Sequence, residues 1–111
     1  MLESARTREN RRRAREESQP TLEEGVAFRA ARRSANQRTA AGIKGNDEER
    51  LVEFECECVR GDCERRVRVP AYVYRRVLEA GDQYLLQTGH HASPRYRTIV
   101  AFGLMSIEEE I

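Results

Sequence analysis

Apolar and polar side chains alternate along the segment Leu51–Cys56, which places Val52, Phe54 and Cys56 on one face. Alternation of this kind predicts a half-buried β-strand. A second segment, Cys63–Val69, alternates less regularly and predicts another strand. Because turn-forming residues separate the two segments, we expect an antiparallel hairpin with cysteines at its tip.

A long helix is predicted before this hairpin. Thr21 has the chemistry of an N-cap, and Glu24 lies three residues further on, as a capping box requires. The helix is expected to run towards Gly42. Its apolar face is thin, so we expect it to pack lightly on the body or against a partner. Apart from alanines, this face consists of Leu22, Val26 and Phe28.

A second helix and three strands are predicted after the hairpin. Pro70 ends the second strand and opens the helix Ala71–Ala80, and Gly81 is suited to stop it. The last two of the three strands are expected to form a hairpin around Gly103. The predicted strands are Gln83–Gln87, Arg97–Phe102 and Leu104–Ile107.

These elements indicate an α+β protein, with an N-terminal helix followed by a small, mainly antiparallel β domain with one inserted helix. We expect five segments along the chain. They are a basic and disordered arm at residues 1–19, the helix at 20–42, a linker at 43–50, the α+β domain at 51–107 and an acidic tail at 108–111.

Composition leaves this domain little apolar material for a core. Of the 111 residues, 39% are hydrophobic and 35% charged, and there is no tryptophan. The net charge of +1 hides an asymmetry, because residues 1–45 contain eleven Lys/Arg against six Asp/Glu, and residues 46–111 contain nine against thirteen. A core this small gains stability from an additional cross-link between its elements, and a bound metal can supply folding free energy directly.

The three cysteines are candidate ligands for such a metal. Cys56, Cys58 and Cys63 have a C-x-C-x4-C spacing, and residues two apart on an extended segment point the same way. Structural zinc takes four nitrogen or sulfur ligands in a tetrahedron, so one histidine would complete the site. His90 is favoured because it is closer to the turn at Gly89, with His91 as the alternative. Cysteines packed as small hydrophobes, a redox pair and an iron–sulfur role stay open.

The chain also resembles a family of small, uncharacterised actinobacterial proteins over about residues 24–107. In that family a Gly-His pair follows the short strand, so the resemblance implies that His90 is the fourth ligand of one zinc ion and that the hairpin is zinc-stapled. The matching residues are Phe28-Arg29-Ala30, Ser34-Ala35-Asn36-Gln37-Arg38, Phe54-Glu55-Cys56-Glu57-Cys58, Cys63, Tyr74-Arg75-Arg76-Val77 and Thr88-Gly89-His90.

A non-enzymatic zinc-binding interaction or regulatory protein is the function favoured by the sequence. A closed site has no coordination position for a substrate, and no residue is assigned a catalytic role. We expect a protein partner and a cytoplasmic location, where thiols stay reduced. No stretch approaches the roughly 18 apolar residues of a membrane span.

Two other functions are open alternatives. The first is nucleic-acid binding through an arginine-rich arm that would neutralise phosphates, helped by arginines of the first helix. The second is a metal-dependent nuclease, because Gly89–Pro94 is similar to the Gly-His-His-x-x-Pro opening of HNH enzymes. The further downstream His or Asn of those enzymes is missing here. The arginines of the first alternative are Arg6, Arg8, Arg11, Arg12, Arg13 and Arg15 in the arm, with Arg29, Arg32, Arg33 and Arg38 in the helix.

Overall fold

The computed structural model describes residues 21–111. Its strands form a two-stranded antiparallel hairpin, β1-β2, and a three-stranded antiparallel sheet in the order β3-β5-β4. The predicted α+β class is therefore confirmed. Neither described helix combines the length and the apolar composition that crossing a bilayer requires. The elements are α1 (Leu22–Ala41), a 3-10 turn (Gly45–Asp47), β1 (Leu51–Glu55), β2 (Arg66–Pro70), α2 (Ala71–Ala80), β3 (Gln83–Gln87), β4 (Tyr96–Phe102) and β5 (Met105–Glu110).

Helix α1 starts where the capping pattern predicts. The Thr21 hydroxyl accepts a hydrogen bond from the Glu24 backbone N–H at 3.1 Å, which satisfies one of the free donors of the first turn. Helix α2 follows β2 directly, with Pro70 as its N-cap residue. Gly81 has a φ of +83°, a conformation that glycine adopts without steric cost, and it ends this helix.

The core lies where the hairpin, α2 and β3 meet. Phe54 of β1 stacks on Tyr74 of α2 with ring centroids 4.4 Å apart, and both side chains are buried. The alternation in the sequence also accounts for two further core residues, because the inward positions of β2 are Val67 and Val69. The remaining large members of the core are Val77, Leu85, Leu86 and Ile107.

The acidic residues at the end of the chain do not form a tail. Strand β5 continues through Glu110, and Glu108 is only 2% exposed. One oxygen of Glu108 accepts a hydrogen bond from the Ala92 backbone N–H at 3.2 Å, and the other lies 2.7 Å from His91 Nδ1. The predicted tail at residues 108–111 is therefore wrong, because strand pairing and these bonds hold the segment in the fold.

Helix α1 packs on the body through polar side chains. Its largest apolar side chains, Leu22, Val26 and Phe28, are 67%, 40% and 37% exposed. The buried residues of the helix are Gly25, Asn36 and Ala40. The Asn36 side chain accepts from the Glu55 backbone N–H at 2.7 Å and donates to the Glu55 carbonyl at 2.8 Å. The predicted thin apolar face is thus not the face that anchors this helix.

Glu57 is a fully buried carboxylate that joins three elements. It accepts hydrogen bonds from Arg33 of α1 at 3.0 Å, from the Tyr74 hydroxyl at 2.5 Å and from the Leu85 backbone N–H at 2.9 Å. The Asn36 amide adds a fourth donor at 3.2 Å. A buried charge is tolerable only when it is paired and hydrogen-bonded in this way. Burial raises the pKa of Tyr74, and the charge of Glu57 adds to that effect.

We predict that Arg33→Ala lowers the free energy of unfolding by about 3 kcal/mol, because it leaves the Glu57 carboxylate buried without its counter-charge. Arg68→Ala is the matched control. Arg68 pairs with Glu53 in solvent, and the two side chains are 64% and 51% exposed, so its loss should change stability by less than about 0.5 kcal/mol. Urea unfolding measures both variants. If the two variants lose equal free energy of unfolding, the buried Arg33–Glu57 pair stabilises the fold no more than the exposed pair does.

Candidate metal centre

The loop between β1 and β2 brings the three cysteines together. The Cys56 backbone N–H donates to the Arg65 carbonyl at 3.0 Å, which continues the hairpin pairing beyond Glu55. The chain then turns, and the Cys63 N–H approaches the Arg60 carbonyl at 3.4 Å. This turn returns Cys63 to the side of the hairpin from which Cys56 and Cys58 project. The three cysteines form no disulfide.

His90 joins the cysteines from the turn after β3. Gly89 has a φ of +93°, and the His90 backbone N–H donates to the Gln87 carbonyl at 2.9 Å, so a tight turn presents the imidazole. The end of β3 is also tied to the cluster directly. The Gln87 N–H donates to Cys56 Sγ at 3.2 Å.

The four side chains form one compact donor cluster. The sulfurs of Cys56, Cys58 and Cys63 and one ring nitrogen of His90 all lie within 4.8 Å of one another. His90 Nδ1 is 3.4 Å from Cys63 Sγ and 3.7 Å from Cys56 Sγ. Cys56 and Cys58 are buried, and the other two residues are half-buried. The three cysteines that the sequence places at the hairpin tip and His90 from the later turn are thus together and could hold a metal ion.

The thiols of the cluster differ in acidity. A hydrogen bond from the Cys56 thiol lowers the pKa of Cys58 to about 4. The same bond, together with burial, raises the pKa of Cys56, and burial raises that of Cys63. The thiolate is the form that binds metals. One thiolate is therefore stabilised at Cys58 by the cluster itself.

Arg32 of α1 holds the loop that carries the cysteines. Its guanidinium donates to the backbone carbonyls of Cys58 at 2.8 Å and Cys63 at 3.0 Å, and it lies 3.6 Å from Cys58 Sγ. This cation orients the loop and favours negative charge on the sulfur. The sequence interpretation missed this role. The available signal was the spacing of Arg29, Arg32, Arg33 and Asn36, which places them along one side of a helix.

Three arginines that were considered for nucleic-acid binding are engaged within the fold. Arg29 donates to the Ala92 carbonyl at 2.7 Å and pairs with Glu110 at 2.6 Å. Arg32 and Arg33 make the contacts described above, whereas Arg38 is exposed. Three of the four helix arginines thus have partners within the fold, and nucleic-acid binding through them stays a prediction. The arm arginines, Arg6, Arg8, Arg11, Arg12, Arg13 and Arg15, lie outside the described residues.

His91 lies outside the donor cluster, although it is adjacent to His90. Its Nδ1 faces Glu108, and its ring stacks on Tyr96 with centroids 4.2 Å apart. His91 and Tyr96 line a cavity of about 430 Å³ together with Leu22 of α1 and Val59 of the cysteine loop. The His91 backbone still supports that loop, because its carbonyl accepts from the Val59 N–H at 3.3 Å.

Comparison with known proteins leaves the site to be interpreted from its geometry. The chain matches no protein-family model, no curated protein and no solved structure. The resemblance to small actinobacterial proteins therefore stays a prediction. The donor cluster and its surroundings are the basis for assigning a function.

We predict that Arg32→Ala weakens the binding of Zn²⁺ or Co²⁺ by about 10- to 100-fold, because partners that orient ligands commonly contribute that much to affinity. Arg38→Ala is the matched control, since Arg38 is an exposed arginine of the same helix. Competition with a chromogenic chelator measures both affinities, and circular dichroism checks that the fold is kept. Unchanged affinity in the Arg32 variant would contradict the role given to this guanidinium.

Proposed function

We propose that the protein is a small non-enzymatic zinc-binding interaction and regulatory module, in which one zinc ion has a structural role. The donor cluster carries this proposal. Zinc–sulfur and zinc–nitrogen bonds of about 2.3 and 2.0 Å in a tetrahedron separate sulfur from nitrogen by about 3.5 Å. The distances from His90 Nδ1 to Cys63 Sγ and Cys56 Sγ, 3.4 and 3.7 Å, lie close to that value.

The donor set favours zinc over calcium and magnesium. Three thiolates and one imidazole suit zinc, whereas calcium and magnesium prefer oxygen ligands. Four protein ligands fill a tetrahedral site, so the ion would have no open position for a substrate. The His90 ring uses Nδ1 towards the sulfurs, and Cys56 and Cys58 are buried. These features support a structural ion that joins the hairpin to the end of β3.

An interaction role fits the surroundings of this site better than the two alternatives. Nucleic-acid binding would depend mainly on the arm at residues 1–19, because Arg29, Arg32 and Arg33 already bond within the fold. A nuclease of the HNH kind would need His91 to act beside a metal. The candidate metal cluster found among residues 21–111 does not include His91. A cytoplasmic location, which keeps the thiols reduced, belongs to the same proposal.

We expect the native protein to contain one zinc ion per chain, measured by native mass spectrometry and elemental analysis. Cys58→Ser and His90→Ala should each lose most of this zinc, because each removes one of four ligands. His91→Ala is the matched control and should keep it, since His91 is outside the cluster. Zinc retained by the His90 variant and lost by the His91 variant would reverse the ligand assignment. If the analysis finds iron and acid-labile sulfide, the site holds an iron–sulfur cluster and the zinc proposal is contradicted.

A further inference from the structure

The three cysteines of the donor cluster differ in their access to solvent. Cys56 and Cys58 are 1% and 0% exposed, whereas Cys63 is half-buried. Cys63 and His90 also line an open cleft of about 230 Å³, and within the described part of the chain neither buried cysteine lines it. A small solute that enters the cleft therefore meets Cys63 first. The other side chains around the cleft are Arg60, Asp62, Glu64 and Arg65.

Cys58 is placed to react with Cys63. The Arg32 guanidinium donates to the backbone carbonyls of both cysteines, at 2.8 and 3.0 Å, so one side chain holds the two ends of the loop together. The sulfur atoms of the two residues already lie within 4.8 Å of each other. A disulfide between them therefore needs rotation of the side chains and little movement of the backbone.

Cys56 is less suited to pair with either cysteine. It lies two residues from Cys58 on an extended segment, where Cα atoms are roughly 7 Å apart, and disulfides usually join Cα atoms about 4.4–6.8 Å apart. The Cys56 sulfur also accepts a hydrogen bond from the Gln87 backbone N–H at 3.2 Å, which holds it towards the end of β3. The geometry therefore favours a bond between Cys58 and Cys63.

We propose that Cys63 is an oxidation site for hydrogen peroxide and that Cys58 is its resolving thiol, so that a disulfide between them replaces metal coordination. This inference rests on the proposed zinc role and adds a form of regulation to it. Cysteines that respond to peroxide are characteristically accessible to solvent and lie next to a second cysteine that resolves the oxidised sulfur. Cys63 and Cys58 have these two properties.

The reaction balances in two steps. The Cys63 thiolate attacks one oxygen of peroxide, the S–O bond forms as the O–O bond breaks, and hydroxide leaves. The Cys58 thiolate then attacks the Cys63 sulfur, the S–S bond forms as the S–O bond breaks, and a second hydroxide leaves. The two thiolates lose two electrons in total. One peroxide is reduced to two hydroxide ions, which take protons from solvent and become water.

The disulfide removes two of the four donors of the cluster. Structural zinc sites have four protein ligands, so Cys56 and His90 alone hold the ion far more weakly and it is released. The connection between the hairpin and the turn after β3 is lost with the ion. The cysteine loop itself stays closed, because the disulfide joins its two ends. A thiol reductant restores the four donors and reverses the change.

Peroxide treatment of the zinc-loaded full chain tests this proposal. A chromogenic chelator measures zinc release, and peptide mass spectrometry without reduction locates the disulfide. Cleavage after Glu57 by a glutamate-specific protease and after Arg60 by trypsin separates the three cysteines. One equivalent of peroxide should release one zinc ion and link Cys58 to Cys63. Dimedone, which traps sulfenic acids, should label Cys63, and a thiol reductant should restore zinc binding.

Two variants form a matched pair for the same measurement. Cys63→His and His90→Cys each keep four residues of the types that bind zinc. Cys63→His removes the accessible thiol, so peroxide should release its zinc at least about tenfold more slowly than from wild type. His90→Cys keeps both Cys58 and Cys63, so peroxide should still release its zinc. The zinc content of each variant is measured before peroxide is added, and the wild-type disulfide map depends on neither variant.

Several outcomes would overturn the proposal. Zinc-loaded wild-type protein that keeps its zinc in excess peroxide would do so, as would a disulfide that includes Cys56. Oxidation of Cys63 to sulfinic acid without a disulfide would contradict the resolving role of Cys58. All three results leave the zinc role intact. Wild-type protein that holds no zinc before peroxide is added would instead contradict the zinc proposal itself, so the two failures are distinguishable.

Discussion

The extended segment Cys56–Cys58 is the constraint on which the rest of the structure depends. Alternate side chains of an extended segment point to opposite sides. Cys56 and Cys58 consequently face the donor cluster, while Glu57 between them faces the body. On that side Glu57 binds a residue from each of α1, α2 and β3. A three-residue segment thus connects the candidate metal centre with the packing of both helices.

Charged and polar side chains make much of the contact between helix α1 and the body, a contact that larger domains usually make with apolar side chains. Helix α1 is anchored through the polar contacts of Arg29, Arg32, Arg33 and Asn36, while Phe28 packs on Gly61 and Ala40 joins the core. Buried polar networks stabilise a fold only when every member is satisfied. Arg32 extends this network to the carbonyls of the cysteine loop. The docking of α1 and the geometry of the donor cluster are therefore coupled, and a change in one is expected to affect the other.

Much of the secondary structure could be predicted because it follows from local rules. The capping residue Thr21, the stop at Gly81 and the alternation in β1 each act over a few positions. The spacing of the cysteines likewise predicted the donor cluster, since a hairpin turn and a glycine turn suffice to assemble it. The cluster geometry also supports the preference for His90, whose Nδ1 faces the sulfurs.

The tertiary partners of charged residues could not be predicted in the same way. Glu57 and Glu108 look like surface residues in sequence, because nothing local reveals that both become buried. Their burial depends on donors far along the chain, such as Arg33 for Glu57. The sequence predicts an acidic tail at the end of the chain for the same reason. Its strand pairing with β3 and β4 is a long-range property.

Urea unfolding with and without a strong chelator tests most directly whether a metal ion at this cluster holds the fold together. The account predicts that chelation lowers the free energy of unfolding by at least about 3 kcal/mol, because metal binding free energy becomes folding free energy when the site exists only in the folded state. Cys58→Ser protein should show no further loss on chelation. Superimposable wild-type curves with and without chelator would contradict the account.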